Sequence, residues 1–250
     1  MCPNPEVTSR RIRVLRLTCQ SGITGYVSQP NGTGLADADG HAHPHGHLAA
    51  LDDGIAFVNT LAWRGGQPVD RLPSSESALD WLYEHDLLHA DARDMMRTHH
   101  RSSPEAASRD LARVQRLRAA MRELVEATVE RRPPARSELA VINRTLRNRA
   151  VFELVVSPDG VSLGHRHEGD PIEGGLSRLT EVLARAVSLG EPERLRVCAN
   201  PQCRLAFVDT SRTGQRKWCD MATCGNRAKA ARHRARQRER RTPRTTPSAA

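Results

Sequence analysis

Four cysteines near the C-terminal end constrain this chain more than any other feature. They form two Cys-x4-Cys pairs, Cys198/Cys203 and Cys219/Cys224, separated by fifteen residues. Each pair closes a tight loop that offers two thiolates to one ion. The intervening residues are long enough for a small hairpin that brings the pairs together. A closed tetrahedral site holding one structural Zn2+ is the natural reading of that spacing. Asn200 and Pro201 sit inside the first loop and suit a turn. Two disulfides would need an oxidising compartment, and the chain shows no secretory signal. Trp218 and Phe207 are expected to fill the small core beside the metal. A stacking role for Trp218 on a nucleic-acid base is the less favoured reading, because it directly precedes a ligand.

The residues after the fourth cysteine suggest what such a site would carry. Ala and Arg dominate 227–241, with no Gly or Pro, so a helix is expected. It has almost no apolar stripe and cannot be buried as a core element. Its Arg side chains are left to meet something anionic. Charge follows the same division. Residues 194–250 hold fifteen Lys+Arg against three acids, whereas 1–193 hold 23 basic and 26 acidic residues. A basic end on a mildly acidic body suggests a nucleic-acid contact at that end. A solvated basic tail is the plainer alternative.

Cys224-Gly-Asn-Arg227, with Cys198-x4-Cys203, Asp209-Thr-Ser-Arg212 and Arg216-Lys-Trp-Cys219, resembles the CGNR zinc-finger family. Upstream, Phe57-Val-Asn-Thr-Leu-Ala-Trp-Arg-Gly65, Leu79-Asp-Trp-Leu82 and Leu117-Arg-Ala-Ala-Met-Arg-Glu123 resemble the helical ABATE domain that precedes such fingers. The resemblance implies a bacterial, stress-linked transcription regulator. ABATE proteins often carry Asp directly before Phe-Val-Asn-Thr. Here Ala56 takes that place, so a role for that carboxylate does not carry over. Asn59 is expected to be buried and hydrogen-bonded, and Arg64 to lie on the surface.

The expected fold is α+β: a mostly helical body with a small β-hairpin, then a small four-cysteine finger ending in a basic helix. Residues 1–47 are expected to be a disordered extension, with Cys2 and Cys19 as ordinary thiols. His41, His43, His45 and His47 can catch a transition metal, but an incidental linker is favoured. The helical domain is placed at 48–190, the finger at 194–240 and a disordered tail at 241–250. Helices are expected over 48–61, from Ser74 or Ser75 to about 88, over 90–99, from Ser103 to about 131 and from a Ser137 cap to about 148. A last body helix should open at Asp170, with Glu173 closing a capping box. Strands are expected at 151–156 and 161–163, with a loop over 164–169. His85, His89, His99 and His100 have no metal-ligand partners at fixed spacing and are expected on the surface.

The expected function is DNA binding by a zinc-dependent regulator. Arg227 and Lys229 lie near the start of the basic helix, the end most often aimed at bases. Arg232, Arg234 and Arg236 extend it along phosphates. Arg212, Arg216 and Lys217 lie between the cysteine pairs and are expected to grip the adjoining backbone. Asn226 is expected to hold the knuckle turn. The helical body is left to sense a small-molecule or protein signal, or to form a homodimer. RNA binding and a protein-interaction finger stand as alternatives. No phosphate loop, metalloprotease helix or nucleophile elbow occurs, so no enzyme is expected. With no run of 18 apolar residues, the expected compartment is the cytoplasm.

Overall fold

The computed structural model describes residues 49–148, 151–157, 160–166, 169–190 and 192–241. The readings made for 1–47, including Cys2, Cys19 and the histidines of 41–47, and for the tail beyond 241 lie outside those residues.

The body is assembled on one long helix, α4, Pro104–Glu130. Ser103 caps it by accepting from Ala106 N, and Pro104 begins it where a missing N–H costs nothing. Arg131 closes it in the left-handed conformation, φ 54°, before Pro133-Pro134. Val114, Leu117, Met121 and Val125 form its buried stripe. Around it stand α1 (Leu51–Val58), α2 (Ser75–Glu84), α3 (Ala90–Ser102), α5 (Arg136–Leu146) and α6 (Pro171–Ser188). Phe57, Leu79, Leu82, Leu176, Leu179 and Leu183 complete one apolar core. Gly175 lets α6 come against the α2–α3 connection, since a Cβ there would lie 2.7 Å from the Leu87 carbonyl oxygen.

Several local expectations need correction. The first helix ends at Val58 rather than continuing to 61, and Leu61 opens a strand instead. Strands β1 (Leu61–Arg64) and β2 (Gln67–Asp70) pair antiparallel through Gly65 and Gly66, both at positive φ. The Gly-Gly pair lies beyond the expected helix and marks a hairpin that the helical pattern of 48–61 does not predict. The helix end is set by tertiary contact: the guanidinium of Arg122 donates to the carbonyls of Val58 and Leu61 at 3.1 and 3.0 Å. Ser137 does not cap α5; Ala135 precedes that helix without a side-chain cap. Strand β4 (Gly160–Arg166) runs on through the stretch expected as loop and pairs with β3 (Val151–Ser157). Leu154, Val156 and Val161 of this hairpin face solvent. Asp170 caps α6, but Glu173 closes no capping box and reaches Arg113 at 2.5 Å instead.

Two of the four histidines also differ from expectation. His100 is buried, with Nε2 2.7 Å from Asp110. His85 is partly buried, 3.2 Å from Asp53 and stacked on Trp81. Their carboxylate partners are 10 and 32 residues away in sequence, beyond the reach of a spacing rule.

The body core also takes in arginine. Arg118 is only 4 % exposed and makes two 2.6 Å bonds to the carboxylate of Asp70. Burial alone would raise the Asp70 pKa; the Arg118 guanidinium and the Leu72 N–H outweigh it and hold the carboxyl below its ordinary value. Arg178 gives its charge-bearing nitrogens to the carbonyls of Asp86 and Leu87, at 3.2 and 2.6 Å. Burial, opposed by Asp86 and Asp53, draws its pKa down to about 10.

Among the described residues, no helix is long and apolar enough to cross a membrane.

Candidate metal centre and nucleic-acid interface

A short 3-10 turn, Pro192–Arg194, leads from the body into strand β5, Leu195–Val197, which pairs with β6, Ala206–Val208. This hairpin encloses the first cysteine pair, whereas the sequence reading placed a hairpin between the two pairs. Cys198 follows β5, and its N–H donates to Leu205 O at 2.8 Å. Asn200 folds the knuckle: its side chain accepts from Gln202 N, and its carbonyl accepts from Cys203 N. Arg204, in the left-handed conformation at φ 52°, turns the chain into β6.

The second pair is built differently. Asp220 accepts from Thr223 N at 2.7 Å and caps the turn that carries Cys224. Gly225 N–H donates to Asp220 O, five residues back, so this turn is wider than an α-turn. Gly225 packs under Met221: a Cβ there would lie 2.6 Å from Met221 Sδ, so that exposed, flexible side chain would have to move aside. Helix α7, Asn226–Arg241, continues directly from it. The Asn226 amide donates to Ala222 O at 3.0 Å and ties the helix start to the turn.

These two knuckles bring Cys198, Cys203, Cys219 and Cys224 together with all four Sγ atoms within 4.8 Å of one another. Cys203 Sγ lies 3.6 Å from Cys219 Sγ, and Cys219 Sγ lies 3.9 Å from Cys224 Sγ. None of the four is in a disulfide. Metal–sulfur bonds of about 2.3 Å in a tetrahedron place the sulfurs about 3.8 Å apart. The cage therefore has the dimensions of a zinc tetrathiolate. Its surroundings suit thiolates as well. Asn200 Nδ2 points at Cys224 Sγ at 3.5 Å. Burial pushes the Cys203 and Cys219 thiols up. Burial alone would push Cys224 up too, but the Asn200 amide and the neighbouring thiols outweigh it and lower that group. A cation entering the cage displaces the remaining thiol protons. Trp218, Phe207 and Leu205 pack against the cysteines as a small second core.

The loop between β6 and Cys219 is held by Asp209, which is fully buried. Its two carboxylate oxygens accept from Ser211 N at 2.9 Å and Arg216 N at 2.7 Å. Burial alone would raise its pKa, but contacts with Ser211 and the Arg216 N–H lower it to about 2. Arg194 adds bonds to the carbonyls of Asp209 and Ser211, and Arg196 one to that of Gly214. Asp209 appeared in sequence only as part of a motif; its role depends on Arg216, seven residues on.

The basic residues divide in two. Arg216 turns inward: its guanidinium donates to Cys219 O at 2.6 Å and lies over the Phe207 ring. It holds the second knuckle rather than projecting to a partner. Arg212 and Lys217 are exposed. Arg227, Lys229, Arg232, Arg234 and Arg236 are all exposed along α7. Lys229, Arg232 and Arg236 share one face by their three- and four-residue spacing. Arg227 and Arg234 border a groove of about 410 Å³ beside Asn200, Gln202 and Trp218.

The metal centre is joined to the body. Leu195 and Ala206 belong to the body core rather than to the cysteine cluster. Arg122 of α4 reaches Arg204 O at 3.3 Å, and Arg204 reaches Glu126 at 2.9 Å. Both guanidiniums lie 5.0 Å from the centroid of the Trp63 ring.

A helical body over 54–190, joined to a four-cysteine finger, is also what comparison with known families finds. Residues 54–190 match the family ABATE, described as "Putative stress-induced transcription regulator". The chain belongs to the ABATE family. Residues 194–237 match the CGNR zinc finger, so this ABATE protein carries the finger directly after its helical domain. No curated protein matches the chain.

Proposed function

We propose that this ABATE protein is a zinc-dependent, DNA-binding transcription regulator. One observation carries the proposal: an exposed, strongly basic helix starts on the turn that bears the last cysteine of the metal cage. Zinc would be held by Cys198, Cys203, Cys219 and Cys224 and would supply folding free energy to the finger. Four thiolates leave no open coordination position, which favours a structural ion over a catalytic one. We therefore read the protein as a binder and not an enzyme, acting in the cytoplasm on the nucleoid. The helical body would receive the signal or mediate assembly.

In this reading the Arg and Lys side chains of α7 neutralise phosphates and release counterions. Arg227 and Lys229, in the first turn beside the rigid knuckle, are the residues whose positions are best fixed for reading base edges. The family description of a stress-induced regulator supports the same direction.

The decisive experiment is selection of bound sequences from a random duplex DNA pool by zinc-loaded protein, at low and near-physiological salt. An enriched motif that survives the higher salt and disappears when Arg227 and Lys229 become Ala supports a DNA reader. Unselective binding that collapses with salt overturns it. Preferential competition by structured RNA would replace DNA with RNA as the target.

A further inference from the structure

The body holds a cavity of about 560 Å³ between α4, α5 and α6. We infer that it is a binding site for a small organic anion with an apolar body. The inference stands on this cavity and does not depend on the reading of the finger.

The volume falls in the range of small-molecule sites, about 300–1,000 Å³. Its floor is apolar: Leu117 of α4 and Leu176 of α6, each only 1 % exposed, with Val141 of α5 as a wall. Polar groups are confined to the rim, and most are already engaged. Arg113 is enclosed by Asp110, Asp170 and Glu173. Arg116 makes a two-pronged contact with Glu138, at 2.6 and 2.9 Å. Asn148 donates to Glu173 at 2.6 Å, and the Thr145 hydroxyl donates to Val141 O at 3.2 Å.

Arg144 is different. It lines the same cavity, is exposed, and its guanidinium makes no ion pair or hydrogen bond among the described residues. An uncommitted, planar, five-donor cation therefore stands at the mouth of an apolar hollow. A carboxylate or sulfonate matches that fork in two bonds at once. An apolar body covers the floor, which an inorganic anion would leave wet. A cationic ligand would meet three arginines and only one carboxylate, Glu173, in the lining.

The test uses the full zinc-loaded chain and titration calorimetry with 2-naphthoate and decanoate. The neutral and cationic counterparts of the first are 2-naphthylmethanol and 2-naphthylmethylammonium. At least one of the two anions should bind at one site per chain, and naphthoate about tenfold or more tighter than its alcohol, as one added charge-assisted bond gives. The exposed position makes Arg144→Ala tolerable to the fold, and this variant should bring naphthoate down to the level of the alcohol. Val141→Trp, which fills the hollow, should abolish binding of both. The inference is overturned if neither anion binds below about 1 mM. Equal binding of naphthoate and its alcohol to the wild type, or naphthoate binding undiminished in Arg144→Ala, would overturn it as well.

Discussion

The side chain of Asn59, at the end of the first body helix, makes both of its bonds to one residue of the finger. Its oxygen accepts from Ala206 N at 2.9 Å, and its amide donates to Ala206 O at 2.8 Å. Asn59 thus acts as a surrogate strand beside β6, 147 positions away in sequence. This contact, with Leu195 and Ala206 in the body core, makes the metal centre a continuation of the helical domain.

Replacing Asn59 with Ala leaves a buried N–H and C=O unmatched at Ala206. The expected loss is about 2 kcal/mol, from two backbone groups each costing about 1–3 kcal/mol when unsatisfied and partly rescued by water. Hydrogen exchange should rise first at β6, before the body helices respond. Unchanged protection at Ala206 would show that the bridge does not fix the finger.

Cys203→Ser and Cys219→Ser should each remove about one zinc per chain, read by elemental mass spectrometry. Amides of the two knuckles, 198–204 and 219–225, should then exchange freely while those of α4 stay protected, because the body has its own apolar core, which includes Leu195 and Ala206. Full zinc retention in both variants would refute the ligand assignment.

Arginines of the finger should separate by function. Arg227→Ala with Lys229→Ala should lower affinity for the selected motif by about 1–3 kcal/mol per base contact and relax its specificity, whereas Arg232→Ala with Arg236→Ala should reduce the magnitude of the log–log salt slope by about 2. Arg216→Ala should instead loosen the second knuckle, since it removes the bond to Cys219 O and the contact with Phe207. Its signature is faster zinc release to a chelator. A salt slope altered by Arg216→Ala, with unchanged zinc release, would place that residue on the nucleic acid.

Asp70→Asn should destabilise the body by about 2 kcal/mol at neutral pH, since a buried guanidinium loses its counter-charge while the partly exposed carboxylate moderates the cost. The folded carboxyl has a pKa below its ordinary value. Its stabilisation is therefore complete above the unfolded value of about 3.9 and is lost as pH falls through the lower folded value. Urea unfolding of wild type and variant should show a gap that is constant from neutral pH down to about 5 and narrows below about 4. A gap that widened on acidification would contradict the Arg118 pairing.

The chain alone determined what periodicity and spacing can encode. The long central helix was legible from Ser103-Pro104 and the three-and-four recurrence of Val114, Leu117, Met121 and Val125. The metal cage was legible from two matched Cys-x4-Cys pairs, and the exposed basic helix from its lack of an apolar stripe. Each of these signals lies within a few turns or one loop. Tertiary structure decided the rest. The first helix stops at Val58, whose carbonyl is taken, together with that of Leu61 in β1, by Arg122 far along the chain. Arg216, equal in sequence to its basic neighbours, is directed inward by Cys219 O and Phe207. His100 is buried by a carboxylate on the next helix, and Asn59 finds its partner across the whole length of the body. A side chain that can bond in many ways carries no sequence mark of which bond it makes. Only the packing that brings a distant carbonyl or carboxylate within 3 Å selects one.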